Sequence, residues 1–425
     1  MRKSIRLVPL ALAAALGLTA CAPSAAPTEK FSADTMATIS YAIWDENQVP
    51  ALEANIADFN KVYPNITVKI DITPWAQYWT KLQTQASGDT LPDVFWMNGP
   101  NFQLYAANDQ LEPMTKLIDD NQVDPANYPD ALNALYSYGD VQYGMPKDFD
   151  TVALWYNKAI LAEAGVETPD DSWTWEDFHS AAKTVSDTLA DQGIYGVATG
   201  LTGGQEGYYN TILQAGGSII SDDGTTSGYD DPQTIAGLQF WADLIADGSS
   251  PSLQQLSDTP HNAWFTSSKT AFFWSGTWSV AELAAASNTD DLDVAPLPRG
   301  EKQATVIHGL ANVVSATSAN KTAAQAFQAY LGSEEAQALQ AEMGAANPAF
   351  NGTQQAFVDS VPHFNLQVFL DEADNYSYPY PISKDTAAWS TIENELLPQA
   401  FSGARPVDEV AYELAERMNE ALAKE

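Results

Sequence analysis

Asp93-Val94-Phe95-Trp96-Met97-Asn98-Gly99 is an apolar run closed at both ends by turn-forming residues. That is the pattern of a short strand buried on both faces. Upstream, Thr38-Ile39-Ser40-Tyr41-Ala42-Ile43-Trp44 is a second run of β-formers, ending at Asp45. Pro50 then stands near the start of a helix carrying Leu52, Ile56, Phe59 and Val62 on one face, and Pro64 stops it. Ile66 to Ile72 reads as a strand, and Trp75 to about Ala86 as an amphipathic helix closed by Gly88. Strand, helix, strand, helix, strand is the opening of a doubly wound α/β sheet. Ligands of such sheets bind beyond the carboxyl ends of the strands. Trp44, Asp45, Trp96 and Asn98 fall at those ends.

The pattern continues downstream. Tyr143-Gly144-Met145-Pro146 reads as a crossing segment, and Thr151 to Tyr156 as an apolar strand before a helix starting at Asn157-Lys158. A second α/β unit follows: a helix from Thr174 to Leu189, a strand from Tyr195 to Ala198, and a helix through Tyr208 to Gln214. A long helix, Pro232 to Ala246, carries Ile235, Leu238, Trp241, Leu244 and Ile245 on its inner face. Near Thr305 to Ser315 an apolar strand returns toward the first unit, and helices dominate from Lys321 onward.

The N-terminus has a different composition. Arg2, Lys3 and Arg6 precede an apolar stretch, Leu7 to Leu18, and small residues lead into Cys21. This is the layout of a secretory signal, and it resembles a bacterial lipobox whose cysteine is acylated. An ordinary cleaved signal that contains a cysteine is the plainer alternative. The stretch is too short and alanine-rich for a spanning helix. Residues 1–20 are therefore expected to be a signal peptide and 21–36, rich in Ala, Pro, Ser and Thr, a flexible tether. Cys21 is the single cysteine, which leaves no partner for an internal disulfide.

The body that remains is long for one core and predicts two lobes. The formal charge of −36 becomes −39 without Arg2, Lys3 and Arg6, from 16 basic against 55 acidic residues. Such a surface repels phosphate backbones, so nucleic acid is excluded as a partner. There are 12 Trp, 18 Tyr and 16 Phe, which suits stacking surfaces for flat apolar ligands as well as core filling.

Several stretches then resemble, in order, one known family. They are Gly88-Asp89-Thr90-Leu91-Pro92-Asp93-Val94-Phe95, Tyr143 to Pro146 with Leu154-Trp155-Tyr156-Asn157-Lys158, and Thr168-Pro169 with Trp173-Thr174-Trp175-Glu176-Asp177-Phe178. Phe265 with Lys269-Thr270-Ala271-Phe272 and Gly276-Thr277-Trp278, Ala295-Pro296-Leu297-Pro298 before Gly309, and Lys321 to Leu331 complete the series. They are similar to the solute-binding proteins of ABC sugar importers, the maltose/oligosaccharide-binding group above all. Ser268 stands where that pattern has glycine. The resemblance implies a periplasmic-binding-protein-like α/β fold: two doubly wound lobes joined by hinge crossings, with a ligand cleft between them. It places lobe 1 at 37–147 plus 306–361 and lobe 2 at 148–305 plus 362–425. The crossings are expected near Met145 to Asp148, Ala304 to His308 and Ser360 to Phe364. It also implies capture of a mono- or oligosaccharide, delivery to ABC permease subunits, anchorage to the outer face of the cell membrane through Cys21, and a monomer without cofactor or metal.

A neutral sugar needs aromatic faces for its C–H surfaces and carboxylates or amides for its hydroxyls. Trp44 with Asp45, and Trp96 with Asn98, offer both at strand ends. Gln77 and Tyr78, between Trp75 and Trp79, lie at a helix start. Asp148 follows the first crossing. By family analogy Glu206 and Tyr208, in a glycine-rich turn with Tyr209, face the cleft. So do Trp274, Gly276 and Trp278 in Trp-Ser-Gly-Thr-Trp, His308 beside a hinge, and Trp389 near Tyr378 and Tyr380. Each also has a structural reading: the tryptophans as core, the aspartates as turn caps, His308 as a satisfied buried histidine. A glycoside hydrolase, or a binder of a polyamine or peptide, is the rival function. Against the hydrolase, the chain has no G-x-S-x-G, H-E-x-x-H or P-loop, and its four histidines lack metal-ligand spacing.

Overall fold

The computed structural model describes residues 36–425. The signal peptide, Cys21 and nearly all of the tether lie outside these residues. The expected opening appears in full, as β1 (Ala37–Ile43), α1 (Val49–Val62), β2 (Ile66–Ile72), α2 (Trp75–Ser87) and β3 (Val94–Asn98), and a further helix, α3 (Gly99–Ala107), follows it. The three strands are parallel, in the order β2-β1-β3, with Tyr41 opposite Val94. All five residues of β3 are buried, as a central strand covered on both faces requires, whereas edge strand β2 buries little beyond Ile66.

Two more strands finish this sheet, joined to it and to each other by antiparallel pairings. They are β4 (Met145–Pro146) and β10 (Leu310–Val314), which inserts between β3 and β4. Helix α8 (Lys321–Leu331) packs Phe327 against Tyr41 and against Phe59 of α1. These residues form one hydrophobic core.

The second lobe is built on β5 (Val152–Asn157), β6 (Tyr195–Val197), β7 (Thr270–Gly276) and β8 (Leu292–Ala295), in the sheet order β8-β5-β7-β6. Its helices begin where the sequence places them. Asn157 caps α4 (Lys158–Ala164), and Thr174 with Asp177 forms a capping box on α5 (Trp175–Thr188). Helices α6 (Tyr208–Gln214) and α7 (Pro232–Ala246) pack together, and α7 also meets α12 (Thr386–Phe401) and α13 (Val407–Leu422).

The crossings run side by side. Asp150 and His308 exchange backbone hydrogen bonds in both directions (2.8 and 3.1 Å). His308 follows β9 (Thr305–Ile307), which pairs with β11 (Ser377–Pro379). Gly309 is demanded here by backbone packing: a Cβ on it would sit 2.3 Å from the Asp148 carbonyl oxygen. The third pass differs from expectation. Asn347 to Ala349 lie against Lys147 to Phe149, while Phe364 packs on Trp155 and joins Phe357 in the second lobe's core. The apolar residues of 357–369 are drawn to that core, so the chain has already left the hinge before Ser360. Helix α9 (Glu334–Glu342) touches both lobes: it packs on α1 and sends Ala341 into the second core.

Candidate ligand-binding cleft

Because β1, β2 and β3 are parallel, their carboxyl ends share one edge of the first sheet. Trp44 sits there, half-buried, at the centre of an aromatic cluster. Its ring lies 5.0 Å from Trp96, 4.9 Å from Tyr78, 5.2 Å from Trp75 and 5.9 Å from Trp79. Asp45 turns the chain sharply by accepting hydrogen bonds from the Asn47 amide (2.9 Å) and the Gln48 side chain (3.0 Å). The short helix it starts, Glu46–Gln48, rests against Val280–Ala285 of the second lobe, so the lobes meet at this seam. Asn98 caps α3, accepting from the Asn101 amide.

A buried polar cluster occupies the hinge. Lys147 donates to Gln48 Oε1 (2.8 Å) and to Asp148 Oδ2 (2.5 Å), and its ammonium lies 4.7 Å from the Trp96 ring centre. Asp148 also accepts from the Leu310 amide (2.9 Å). Asp150 accepts from Gln205 Nε2 (2.7 Å). Burial, and the charge of Asp148 beside it, push the Asp150 carboxyl well above its usual range, against the pull of Gln205 and Lys147. His308 is buried too, and its Nε2 accepts from the Gly99 amide (3.1 Å). Burial pushes the imidazole down to about 4, so it is neutral at neutral pH with its proton on Nδ1. Its ring lies 4.9 Å from that of Tyr380, whose hydroxyl donates to the Gly203 carbonyl.

The second lobe contributes the ends of β6 and β7 and the turn before α6. Here the Glu206 carboxylate accepts from Ser275 Oγ (2.7 Å) and the Trp278 indole N–H, and pairs with His261 Nε2 (3.0 Å). Burial works against the Glu206 charge, but His261 and these donors outweigh it and hold the carboxyl below its ordinary value. Burial likewise opposes the His261 charge, and Glu206 overrides it, leaving the imidazole above its ordinary value. Gly276 exists to seat Trp278: a Cβ there would fall 2.1 Å from the indole Cζ3. Gly200 does the same for Glu206 and His261.

The predicted residues therefore separate into two groups. Trp44, Asp45, Asn98, Asp148, Glu206, Gly276, Trp278 and His308 gather around the seam between the lobes. Trp96, Tyr78, Tyr208, Trp274 and Trp389 do not offer a free face there, which corrects the expectation for them. Trp96 is fully buried, donating its N–H to the Tyr41 hydroxyl (2.6 Å), and Tyr78 donates to the Ala42 and Trp96 carbonyls. Trp274 lies under the second sheet against Phe178, Phe240 and Trp241. Trp389 donates to Ser383 Oγ inside the same core, and Tyr208 packs on Phe401. Gln77 points outward and is exposed. The sequence reading missed Lys147, Asp150, Gln205 and His261. Asp150 lies two residues after Asp148 on extended chain, so strand periodicity places it on the same side. His261 carries no local signal, because its partner Glu206 is distant in sequence.

A separate groove of about 690 Å³ lies between α3 and helices α12 and α13, lined by Leu104, Tyr138 and Ile392 and by the charged Lys384, Asp385 and Arg417; none of the seam residues named above borders it. Leu104 lies one helical turn beyond Asn101 on α3. Among the described residues no group of His, Cys, Asp or Glu is arranged to hold a metal ion. The cleft thus combines aromatic surfaces, acids with their donors preorganised, and two lobes in contact: equipment for enclosing a molecule that presents both apolar faces and hydrogen-bonding groups.

The profile of the bacterial extracellular solute-binding protein family matches residues 44–338. The galactooligosaccharide-binding protein of Bacillus subtilis is 24% identical over 415 residues, covering 96% of this chain and 94% of its own. The diacetylchitobiose binding protein of Streptomyces coelicolor is 24% identical over 304 residues, 69% of each chain. In structure, an ABC substrate-binding protein of Listeria monocytogenes in complex with cycloalternan superposes with a TM-score of 0.86 at 26% identity, covering 92% of this chain and 100% of that one. The GacH receptor of Streptomyces glaucescens, with 22% identity and a TM-score of 0.79 over 92% of this chain and 100% of its own, shares the fold.

Proposed function

The chain belongs to the bacterial extracellular solute-binding protein family, and from that premise we propose that it is the carbohydrate receptor of an ABC importer. It captures a mono- or oligosaccharide by lobe closure, releases it to membrane permease subunits, and carries out no reaction of its own. The observation that supports this reading is the pairing of Trp278 with Glu206, an aromatic face beside a carboxylate whose charge His261 holds in place. One face covers C–H surface while the acid accepts from sugar hydroxyls. The carbohydrate ligands named for its relatives in Bacillus subtilis and Streptomyces coelicolor point the same way. Cys21, acylated after signal cleavage, tethers the receptor beside its permease.

Thermal denaturation of residues 28–425 against a panel of neutral sugars and oligosaccharides tests this, since a ligand of the native state alone raises the melting temperature. At a hundredfold excess over Kd the stabilisation is about 2.7 kcal/mol. A response to a polyamine or peptide and to no carbohydrate overturns the proposal. Release of new reducing ends from an oligosaccharide would instead favour a hydrolase.

Gly276→Ala provides a test of the wall itself. The new methyl drives the Trp278 indole off its seat, costing roughly 1–3 kcal/mol of stability as overpacking does. Loss of one good contact corresponds to about tenfold in affinity. Calorimetric titration that finds the affinity unchanged removes Trp278 from the binding surface.

A further inference from the structure

Trp75 is the least buried of the aromatic cluster around Trp44. It is 53% exposed, although its ring meets Trp44 at 5.2 Å and Trp79 at 5.9 Å, both edge-on. Ile72, the last residue of edge strand β2, is exposed beside it in sequence at 41%. A large apolar ring left in water at the start of a helix does nothing for the core. The other rings of the cluster are half-buried or buried, with Tyr78 and Trp96 hydrogen-bonded to main chain or to Tyr41. Trp75 is therefore the ring whose face remains open.

Its position in the fold says what that face is for. It begins α2, directly after the carboxyl end of β2, and so belongs to the same sheet edge as Trp44, Asp45 and Asn98. One residue after Trp44, Asp45 starts the helical turn Glu46–Gln48 that touches Val280–Ala285 across the seam. Trp44 stands at the border of the enclosed cleft, and Trp75 is the next ring outward from it. The wall of the cleft thus continues past the closed seam as an exposed indole.

We propose that Trp75 is an outer stacking platform, so that the ligand is an oligosaccharide with at least one unit projecting beyond those enclosed between the lobes. This rests on the carbohydrate-receptor reading and narrows it. The enclosed units are held by the acids, amides and rings of the hinge and both lobes. The projecting unit lays its C–H face on the Trp75 indole and keeps its hydroxyls in water, an arrangement that tolerates varied substituents on that unit.

Calorimetric titration of wild type, Trp75→Ala and Trp75→Phe with a linear neutral series, from mono- to hexasaccharide, tests the platform. For wild type, affinity rises at the chain length that reaches Trp75. Trp75→Ala loses roughly three- to tenfold for ligands of that length and longer, and stays within about twofold of wild type for shorter ones. Trp75→Phe keeps most of the gain, which rules out a general disturbance of Trp44. An equal loss at every length, or no loss at any, overturns the platform while leaving the receptor intact, and the latter outcome reassigns the patch to a protein contact. Absence of carbohydrate binding by wild type overturns the receptor reading and the platform together.

Discussion

Replacing Lys147 by methionine is expected to lower the unfolding free energy by about 3–5 kcal/mol, read as a fall in the urea midpoint. The ammonium is almost fully buried, and so is Asp148, which it contacts. Methionine fills the aliphatic volume but provides no donor. Asp148 then loses its cation while Asp150, two residues on, still faces it within the same buried cluster. Gln48 Oε1 loses its donor as well. The damage is removal of one partner from a buried pair, which costs far more than the intact pair contributes. Lys147→Met combined with Asp148→Asn is therefore expected to recover a large part of the loss. If the single variant melts within about 1 kcal/mol of wild type, or if the double variant is no better, the cluster is not what braces the hinge. Ligand affinity should fall with the single variant too, because the aspartates and Gln48 border the seam.

The second large effect concerns pH. Among the described residues, Glu393 and Glu372 are carboxyl groups buried with no cation among their partners. Glu393, on α12, accepts hydrogen bonds from the Tyr209 and Tyr229 hydroxyls, and burial pushes it up to about 7 against the pull of those donors and Tyr208. Glu372 accepts from Thr151 Oγ and is pushed by burial to about 8. In the unfolded chain both ionise near 4.5. Across the interval between, the native state holds protons that the unfolded state has released, so stability falls as pH rises. Each unit of such a shift amounts to about 1.4 kcal/mol. His308 acts in the opposite sense: its pKa is lowered from 6.5 to about 4, so its contribution grows as pH rises between those values. The two tendencies partly cancel up to pH 6.5, and the steepest loss is expected from there to about 8. Urea unfolding at a series of pH values checks this. Glu372→Gln keeps the carbonyl acceptor for Thr151 and removes the titration, so it should flatten the profile and exceed wild type at the alkaline end. A wild-type profile that is level from 6.5 to 8 contradicts the assignment.

How legible this molecule was in its sequence depended on the range of the interaction. The alternation from β1 to β3 was readable because each element announces itself locally: Pro50 and Pro64 bracket α1, Gly88 ends α2, and the unbroken run in β3 marks a strand covered on both faces. The strand ends then located Trp44, Asp45 and Asn98. Along β7 the same logic failed. Every residue from Thr270 to Gly276 is buried, so no polar alternation distinguishes the side that fronts the cleft from the side that faces the core. Trp274 took the core side and Ser275 reached Glu206. Trp389 and Glu393 lie one helical turn apart on α12 and both point inward. A glutamate there reads as solvent-facing, because the tyrosines that receive it are 164 to 185 residues away. Lys147 was hidden for the same reason: its partner Gln48 lies 99 residues upstream. Local periodicity writes the scaffold, while the polar interior is written by pairs that only the folded chain brings together.

The place of β10 has a consequence for how the chain reaches this state. Leu310–Val314 fills the slot between β3 and β4, yet it is made only after the whole second sheet. A chain growing from its N-terminus exposes β3 as an unpaired edge until then, with Val94, Phe95 and Trp96 uncovered. Contacts of such wide sequence separation slow folding, and open strand edges invite association with other chains. The second lobe, by contrast, has its four strands within residues 152–295. It is therefore expected to acquire its sheet first, and the first lobe to wait for β10 as its closing piece, so the route most exposed to aggregation is the one leading to the lobe that begins the chain.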